Sequence, residues 1–272
     1  MLKLTVWKRG LPMWKIYDEL IAEVPTDLRV SECLVGMHWT LIRSKATGMA
    51  LTPSGPKQYG KQGSSIISGI GEHIAGMSVR KLAGYVKSWN PYEATLGLAA
   101  INSAFNSPEQ VEALSGDPVS NQPQVSAFVY YGNLVRDKRV AVVGHFPDLE
   151  ELSKLCQLTI LERNPGEGDL PDPACEYVLP SQDYVFITGT ALINKTLPRL
   201  LELSSNAYTF LVGPSTPFAP LLFHHGIHTL AGTVVVEAES VWQAAKEGAA
   251  RSVFDHGARM VKVSKEEWKQ NH

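Results

Sequence analysis

Hydrophobic periodicity changes character halfway along this chain. Trp14, Tyr17, Leu20, Ile21 and Val24 recur at spacings of three and four, which predicts an amphipathic helix over 12–24, closed by Pro25. Alternation follows. Val30 to Ile42 and Gly48 to Thr52 read as two or three antiparallel strands, with Val35, Met37, Trp39 and Leu41 on one face and Thr47 with Gly48 turning the chain. A Gly- and Pro-rich stretch, 53–65, is too polar for core, and two helices are predicted over 78–88 and 91–105. Asn90, Pro91 and Glu93 supply the second of these with a cap, a first-turn proline and a capping-box acid, and Leu98, Ile101 and Phe105 with its buried stripe.

From Arg139 the chain becomes strand, glycine turn and helix in alternation. Strands near 139–143, 158–162, 184–188, 208–212, 232–236 and 259–263 are separated by helices or long connections, the pattern of a doubly wound, mostly parallel α/β sheet. The Gly- and Pro-containing segment Ser115 to Gln124 divides the two patterns, giving a small α+β domain at 1–120 and a Rossmann-like domain at 121–272. Turns at the C-terminal edge of a parallel sheet are where such proteins hold small ligands.

Composition narrows the field by exclusion. With 25 basic and 27 acidic side chains the net charge is −2, and no charge run gives the footprint of a nucleic acid or an anionic membrane as partner. No apolar run reaches a membrane span, and Lys8, Arg9, Lys15, Asp18 and Glu19 interrupt any signal-peptide core, so a cytoplasmic protein is expected. Cys33, Cys156 and Cys175 lack CxxC spacing and read as reduced thiols. Nothing in the sequence names a cofactor, and a homo-oligomer is left open.

The candidate chemistry sits in the glycine turns. Gly144, His145, Phe146 and Pro147 follow the first strand of the second half; Pro147 suits a helix start whose free amides could hold an anion. Only the first glycine of GxGxxG is present, so this is no dinucleotide fingerprint. Glu162 lies eighteen residues after Gly144, near the spacing at which an acid meets a ribose hydroxyl; the alternative is a solvated partner of Arg163. Thr188, Gly189 and Thr190 offer uncharged donors and acceptors at a strand end, while Asn194 reads equally as a ligand contact or a helix cap.

Gly213, Pro214, Ser215 and Thr216 repeat the pattern, with Thr216 able to cap a helix beginning at Pro217. That proline occupies the place of the second glycine in GxSxG, so a serine hydrolase is disfavoured. Gly55 to Lys61 match GxxxxGK, but Gln62 replaces the required hydroxyl, leaving Lys57 and Lys61 as candidates to cover a neighbouring pocket. His224, His225 and His228 suggest a metal only faintly, since the glutamate of HExxH is missing, and no metal ligand set is assigned. Asn102, a polar intrusion on a small apolar helix face, either bonds nearby backbone or faces the interdomain cleft.

The strings VVGHFP, ITGTALIN and GPSTPF, with GLAAIN in the first half, resemble the heavy-metal chelation family, long classed as a domain of unknown function. The resemblance covers most of the chain. It implies an enolase N-terminal-like α+β domain followed by a Rossmann-like domain similar to that of methyltransferases, with a cleft between them. It also implies a role in making or handling metal-chelating small molecules. The residues it touches are Gly144, His145, Phe146, Pro147, Glu162, Thr188, Gly189, Thr190, Asn194, Gly213, Pro214, Ser215, Thr216 and Asn102.

Three functions compete on this reading. The first is an enzyme condensing or hydrolysing a pterin-, flavin- or metallophore-like compound in the cleft. There His145 or Glu162 would serve as acid or base, Asn102 would belong to the catalytic set, and the Ser215 turn would hold an anionic group. The second is non-catalytic binding or delivery of a metal or metal chelate, and the third a methyltransferase using S-adenosylmethionine.

Overall fold

A computed structural model describes residues 14–54 and 73–271. The first-half helix, α1 (Lys15–Glu23), is followed by a three-stranded antiparallel sheet, β1 (Glu32–Val35), β2 (Trp39–Arg43) and β3 (Thr47–Leu51), in that spatial order. Thr47 and Gly48 are strand residues of β3, paired with Arg43 and Ile42, and not a turn. Gly48 is needed there for close approach, because a Cβ on it would stand 2.1 Å from the carbonyl oxygen of Ala99. Met37 lies in the β1–β2 turn, 76% exposed, so it does not continue the apolar face of Val35 and Trp39.

The helix behind Gly48 organises the molecule. After α2 (Val79–Ala83), which runs on into a 3₁₀ turn, α3 (Pro91–Phe105) is buried from Glu93 to Phe105 and not along one stripe. It packs on β2 and β3 on one side and on second-half structure on the other, so every face meets protein. Its predicted cap is present: the Asn90 side chain accepts from the Tyr92 amide at 3.0 Å. Two short helices follow, α4 (Pro108–Ser115) and α5 (Ala127–Tyr130), and segments 1–13 and 55–72, with the GxxxxGK stretch, lie outside the described residues.

The second half holds β4 (Arg139–Val143), α6 (Leu149–Ser153), β5 (Gln157–Glu162), β6 (Leu170–Pro171), α7 (Cys175–Val178), β7 (Tyr184–Thr188), α8 (Ala191–Asn194), α9 (Leu197–Leu203) and β8 (Tyr208–Val212). It ends with α10 (Leu221–His224), β9 (Thr229–Val235), α11 (Ala238–Lys246), β10 (Ala258–Ser264) and α12 (Lys265–Asn271). The seven strands run in the order β10-β9-β8-β7-β4-β5-β6, all parallel except β10, which pairs antiparallel with β9. From the first strand, β4, the chain winds outward one way through β5 and β6 and the other way through β7, β8 and β9. This is the two-directional winding of Rossmann sheets, and it makes β4 and β7 the switch point. The strands are near-continuous apolar runs because both faces are covered, Val140 and Val142 on one side and Ala141 and Val143 on the other.

The two halves share a core. Ile42, Ala50, Leu96 and Ile101 belong to the same buried cluster as Ala141, Val185, Leu211 and Val261. A polar seam crosses this contact. Asn102 donates to the Met49 carbonyl at 2.8 Å and the Ser215 carbonyl at 3.2 Å, while the Ser215 hydroxyl accepts the Leu51 amide at 2.9 Å. One turn on, Asn106 donates to the Thr216 and Thr233 carbonyls and accepts from the Phe218 amide. Each contact pairs backbone that no sheet or helix could satisfy.

Candidate functional site

A cavity of about 960 Å³ opens at the switch-point edge of the large sheet. Gly144, His145, Phe146 and Pro147 after β4, Glu162 at the end of β5, Thr188, Thr190 and Asn194 after β7, and Gly213 and Pro214 after β8 all line it. The first half adds His38, Trp39, Pro53 and Tyr92, and the β9–β10 end adds Met260, Lys262, Arg251 and Phe254. Loops scattered over seventy residues therefore meet around one space, because parallel strands deliver their C-terminal ends to the same edge.

Gly144 starts the first loop at φ +107°, a left-handed backbone in which a Cβ would also press on Thr188 at 3.2 Å. The helix expected at Pro147 begins two residues later, at Leu149. What shapes the loop is Glu162, whose carboxylate accepts the His145 amide at 2.9 Å, the Arg163 amide at 2.6 Å and the Asn164 amide at 3.2 Å. Glu162 thus stands at the cavity wall as a brace between the loops after β4 and β5.

His145 has a partner that sequence reasoning missed. Its Nδ1 lies 3.0 and 3.2 Å from the two carboxylate oxygens of Asp169, which also accepts the Gly166 amide at 3.0 Å. The Asp169 side chain is only 2% exposed against 55% for His145. A carboxylate fixed on Nδ1 favours the tautomer that leaves Nε2 as the free base, the arrangement of an oriented general base. Asp169 sits in the polar string Pro165 to Asp169, where no motif distinguishes it from a loop acid.

On the other side of the switch point the Thr188 and Thr190 hydroxyls lie 2.9 Å apart, and Thr188 also accepts the Thr190 amide. Asn194 is the last residue of α8 and not the cap of α9, because Lys195 turns left-handed at φ 64° and Thr196 takes the capping place. No side-chain hydrogen bond of Asn194 is found among the described residues, so its amide remains available at the cavity wall. Lys195 itself is buried, donating to the Ser88 carbonyl and, at 2.7 Å, to that of Ile193. Burial lowers its ammonium to about 8.

Four candidates fall outside the cavity lining. Ser215, 2% exposed, and Thr216, fully buried, lie in the seam, and no helix begins at Pro217; the next, α10, starts at Leu221. Gly189 packs against the Ser215–Thr216 backbone, its amide on the Val212 carbonyl. Asn102, fully buried, binds backbone, the first of the two roles open to it in the sequence. The Ser215 turn therefore offers its Gly213 and Pro214 to the cavity and turns its hydroxyl inward to Leu51.

The described residues do not fit direct capture of a soft metal. Among the described residues no group of three or more His, Cys, Asp and Glu side chains gathers at metal-holding spacing. His225 pairs with Glu19 at 2.5 Å, His228 stacks on Tyr208 and takes the Thr209 amide, and His224 meets the edge of Trp268. Burial pushes the Cys33 thiol up to about 11, raises that of Cys156, and with Asp172 pushes Cys175 to about 12, against the thiolate a soft metal binds. Among the described residues no helix is long and apolar enough to cross a membrane.

Fold and cavity together define a two-domain α/β protein with a cleft at the switch point of a Rossmann-type sheet. Within that class the chain belongs to the heavy-metal chelation family. Two family models described as "putative heavy-metal chelation" match residues 17–105 and 127–264. An uncharacterised protein of Methanocaldococcus jannaschii is 30% identical over 234 residues, 81% of this chain and 84% of its own length. A crystal structure of a family member of unknown function from Desulfitobacterium hafniense DCB-2 is 39% identical. It superposes with a TM-score of 0.81 over 93% of this chain and 99% of its own. A second, from Pyrococcus horikoshii, is 19% identical with a TM-score of 0.73 over 93% and 100%, and shares the fold.

Proposed function

We propose that the cleft binds a small polar molecule of pterin, flavin or metallophore type and acts on it by proton transfer, as in a condensation or hydrolysis. The observation that carries this reading is the pairing of His145 with Asp169, His145 lining a cavity whose wall also presents Thr190 and Asn194. An imidazole held by a buried carboxylate has the geometry of a general base, and the cavity volume suits a ligand of cofactor size. A heavy metal enters this reading as cargo already held by its chelator.

The second reading is binding or delivery of a metal chelate without chemistry. The histidines, each engaged elsewhere, and the buried thiols, with pKa values raised by burial, favour it, since no ligand set for a bare metal gathers among the described residues and a metal held by its chelator needs none. Thermal-shift and calorimetric titration with pterins, flavins, S-adenosylhomocysteine, and metal-free and metal-loaded chelators tests both. Stabilisation by one class, with turnover weakened on the order of 100-fold by Asp169→Asn, supports the enzyme. Stabilisation indifferent to that substitution supports delivery. No shift across the whole panel contradicts both.

A further inference from the structure

The far end of the same cavity carries a group that the His145 end does not use. Lys262, on β10, lines the cavity and is 6% exposed. Its row across the sheet is apolar: it pairs in register with Ala231 on β9, and Ala231 pairs with Val212 on β8. Among the described residues no carboxylate lies within ion-pairing distance of its ammonium. That group donates to the Pro123 carbonyl at 2.9 Å and lies 5.1 Å from the centre of the Tyr130 ring. One peptide carbonyl and a ring face leave the charge poorly compensated, and burial lowers the ammonium from 10.5 to about 8.

A lysine held this way is costly to folding and suited to nucleophilic chemistry, because the neutral amine has a lone pair and the protonated form does not. Lys195, the other buried lysine shifted to the same degree, donates to two carbonyls and is absent from the cavity wall. Arg251 lies on the wall with Lys262 and makes no ion pair among the described residues, so a permanent positive charge is available for a carboxylate on the ligand.

We propose that the Lys262 amine condenses with an aldehyde or ketone carried by an acidic ligand of the cleft, forming an imine. The proposal rests on the reading of the cleft as a small-molecule site and names the substrate class there. In the step the amine lone pair forms a C–N bond to the carbonyl carbon and the C=O π pair moves to oxygen, which is protonated while nitrogen loses a proton. The oxygen then takes a second proton and leaves as water with the C–O bonding pair while the nitrogen lone pair forms the C=N bond, and loss of the remaining N–H proton from this iminium gives the neutral imine. The net change is loss of one water and no oxidation.

The test treats the full chain at pH about 8 with 4-carboxybenzaldehyde or pyruvate, then with borohydride, which reduces an imine to a stable secondary amine. Peptide mass spectrometry locates the adduct, and quenching of tryptophan fluorescence without borohydride reports binding of the aromatic probe. The expected result is one dominant adduct, on Lys262. Labelling should fall at least tenfold in Lys262→Met and in Lys262→Arg, with thermal melts showing both folded. Quenching without an adduct on Lys262 overturns the imine and leaves the cleft reading standing. Neither quenching nor adduct counts against both, and labelling spread over surface lysines and unchanged in Lys262→Arg also overturns the proposal. If the variants fail to fold, Arg251→Gln replaces them, with a Lys262 adduct reduced for the acidic probes as the supporting result and an unchanged one as the contradicting result.

Discussion

The seam between the halves and the cleft beside it are both polar strips in an apolar interior, and they differ in what their polar groups meet: the seam's meet backbone across the two halves, with the Asn102 Oδ1 and the Thr216 hydroxyl left without a partner, and the cleft's face a cavity. In the seam, Asn106 spends both ends of its amide on the backbone of Thr216, Thr233 and Phe218, and the Ser215 hydroxyl takes Leu51. In the cleft, Asn194 keeps its amide open and His145 is bound through one nitrogen only. Polar groups satisfied by protein hold the fold together, and polar groups oriented but left open at a cavity are those that can meet a ligand.

The sharpest way to break this comparison is Asn106→Ala, which strands one amide and two carbonyls in the interior. It should destabilise by about 3 kcal/mol and lower the melting temperature on the order of 8 °C. Calorimetry checks this, and a loss under ~0.5 kcal/mol would mean that water replaces the seam. The mirror experiment is Asn194→Ala. Stability should stay within ~0.5 kcal/mol, while affinity for any ligand stabilising the wild type falls about tenfold. Equal melting and equal affinity would remove Asn194 from the site.

The smallest effect belongs to the opposite edge of the sheet, which serves neither purpose. Hydrogen bonds from Arg139 hold the Asp183 carboxyl at about 2, below its ordinary 3.8. The sign is that of a depressed carboxylate: the contribution is present above the ordinary value and is lost as pH falls toward 2. Urea midpoints between these pH values should decline less steeply in Asp183→Asn than in the wild type. Parallel profiles would assign the acid limb to other carboxylates.

The parallel strands were legible in the sequence because burial on both faces writes itself as unbroken apolar runs, as in Val140 to Val143 and Phe210 to Val212. The loops around the cavity were legible for the same reason, since each follows such a run. Local chemistry was less so. Thr47 and Gly48 have the composition of a turn, and only the approach of α3 explains a glycine within β3. Ser215 and Asn194 have side chains that suit a ligand or a backbone group equally, and which one they meet depends on elements distant in the chain. Asp169 and Asn106 carried no local signal. Nor did Lys262: alternating with Val261 and Val263 it reads as the solvent face of a strand, and only the packing around β10 shows it buried.

The most direct test of the account is a crystal structure of the protein with a bound small molecule. Ligand density should contact His145, Thr190 and Asn194, while the Asn102 and Asn106 contacts to backbone stay unchanged. Density seated on the seam residues, or on a surface away from the loops after β4, β7 and β8, would contradict it.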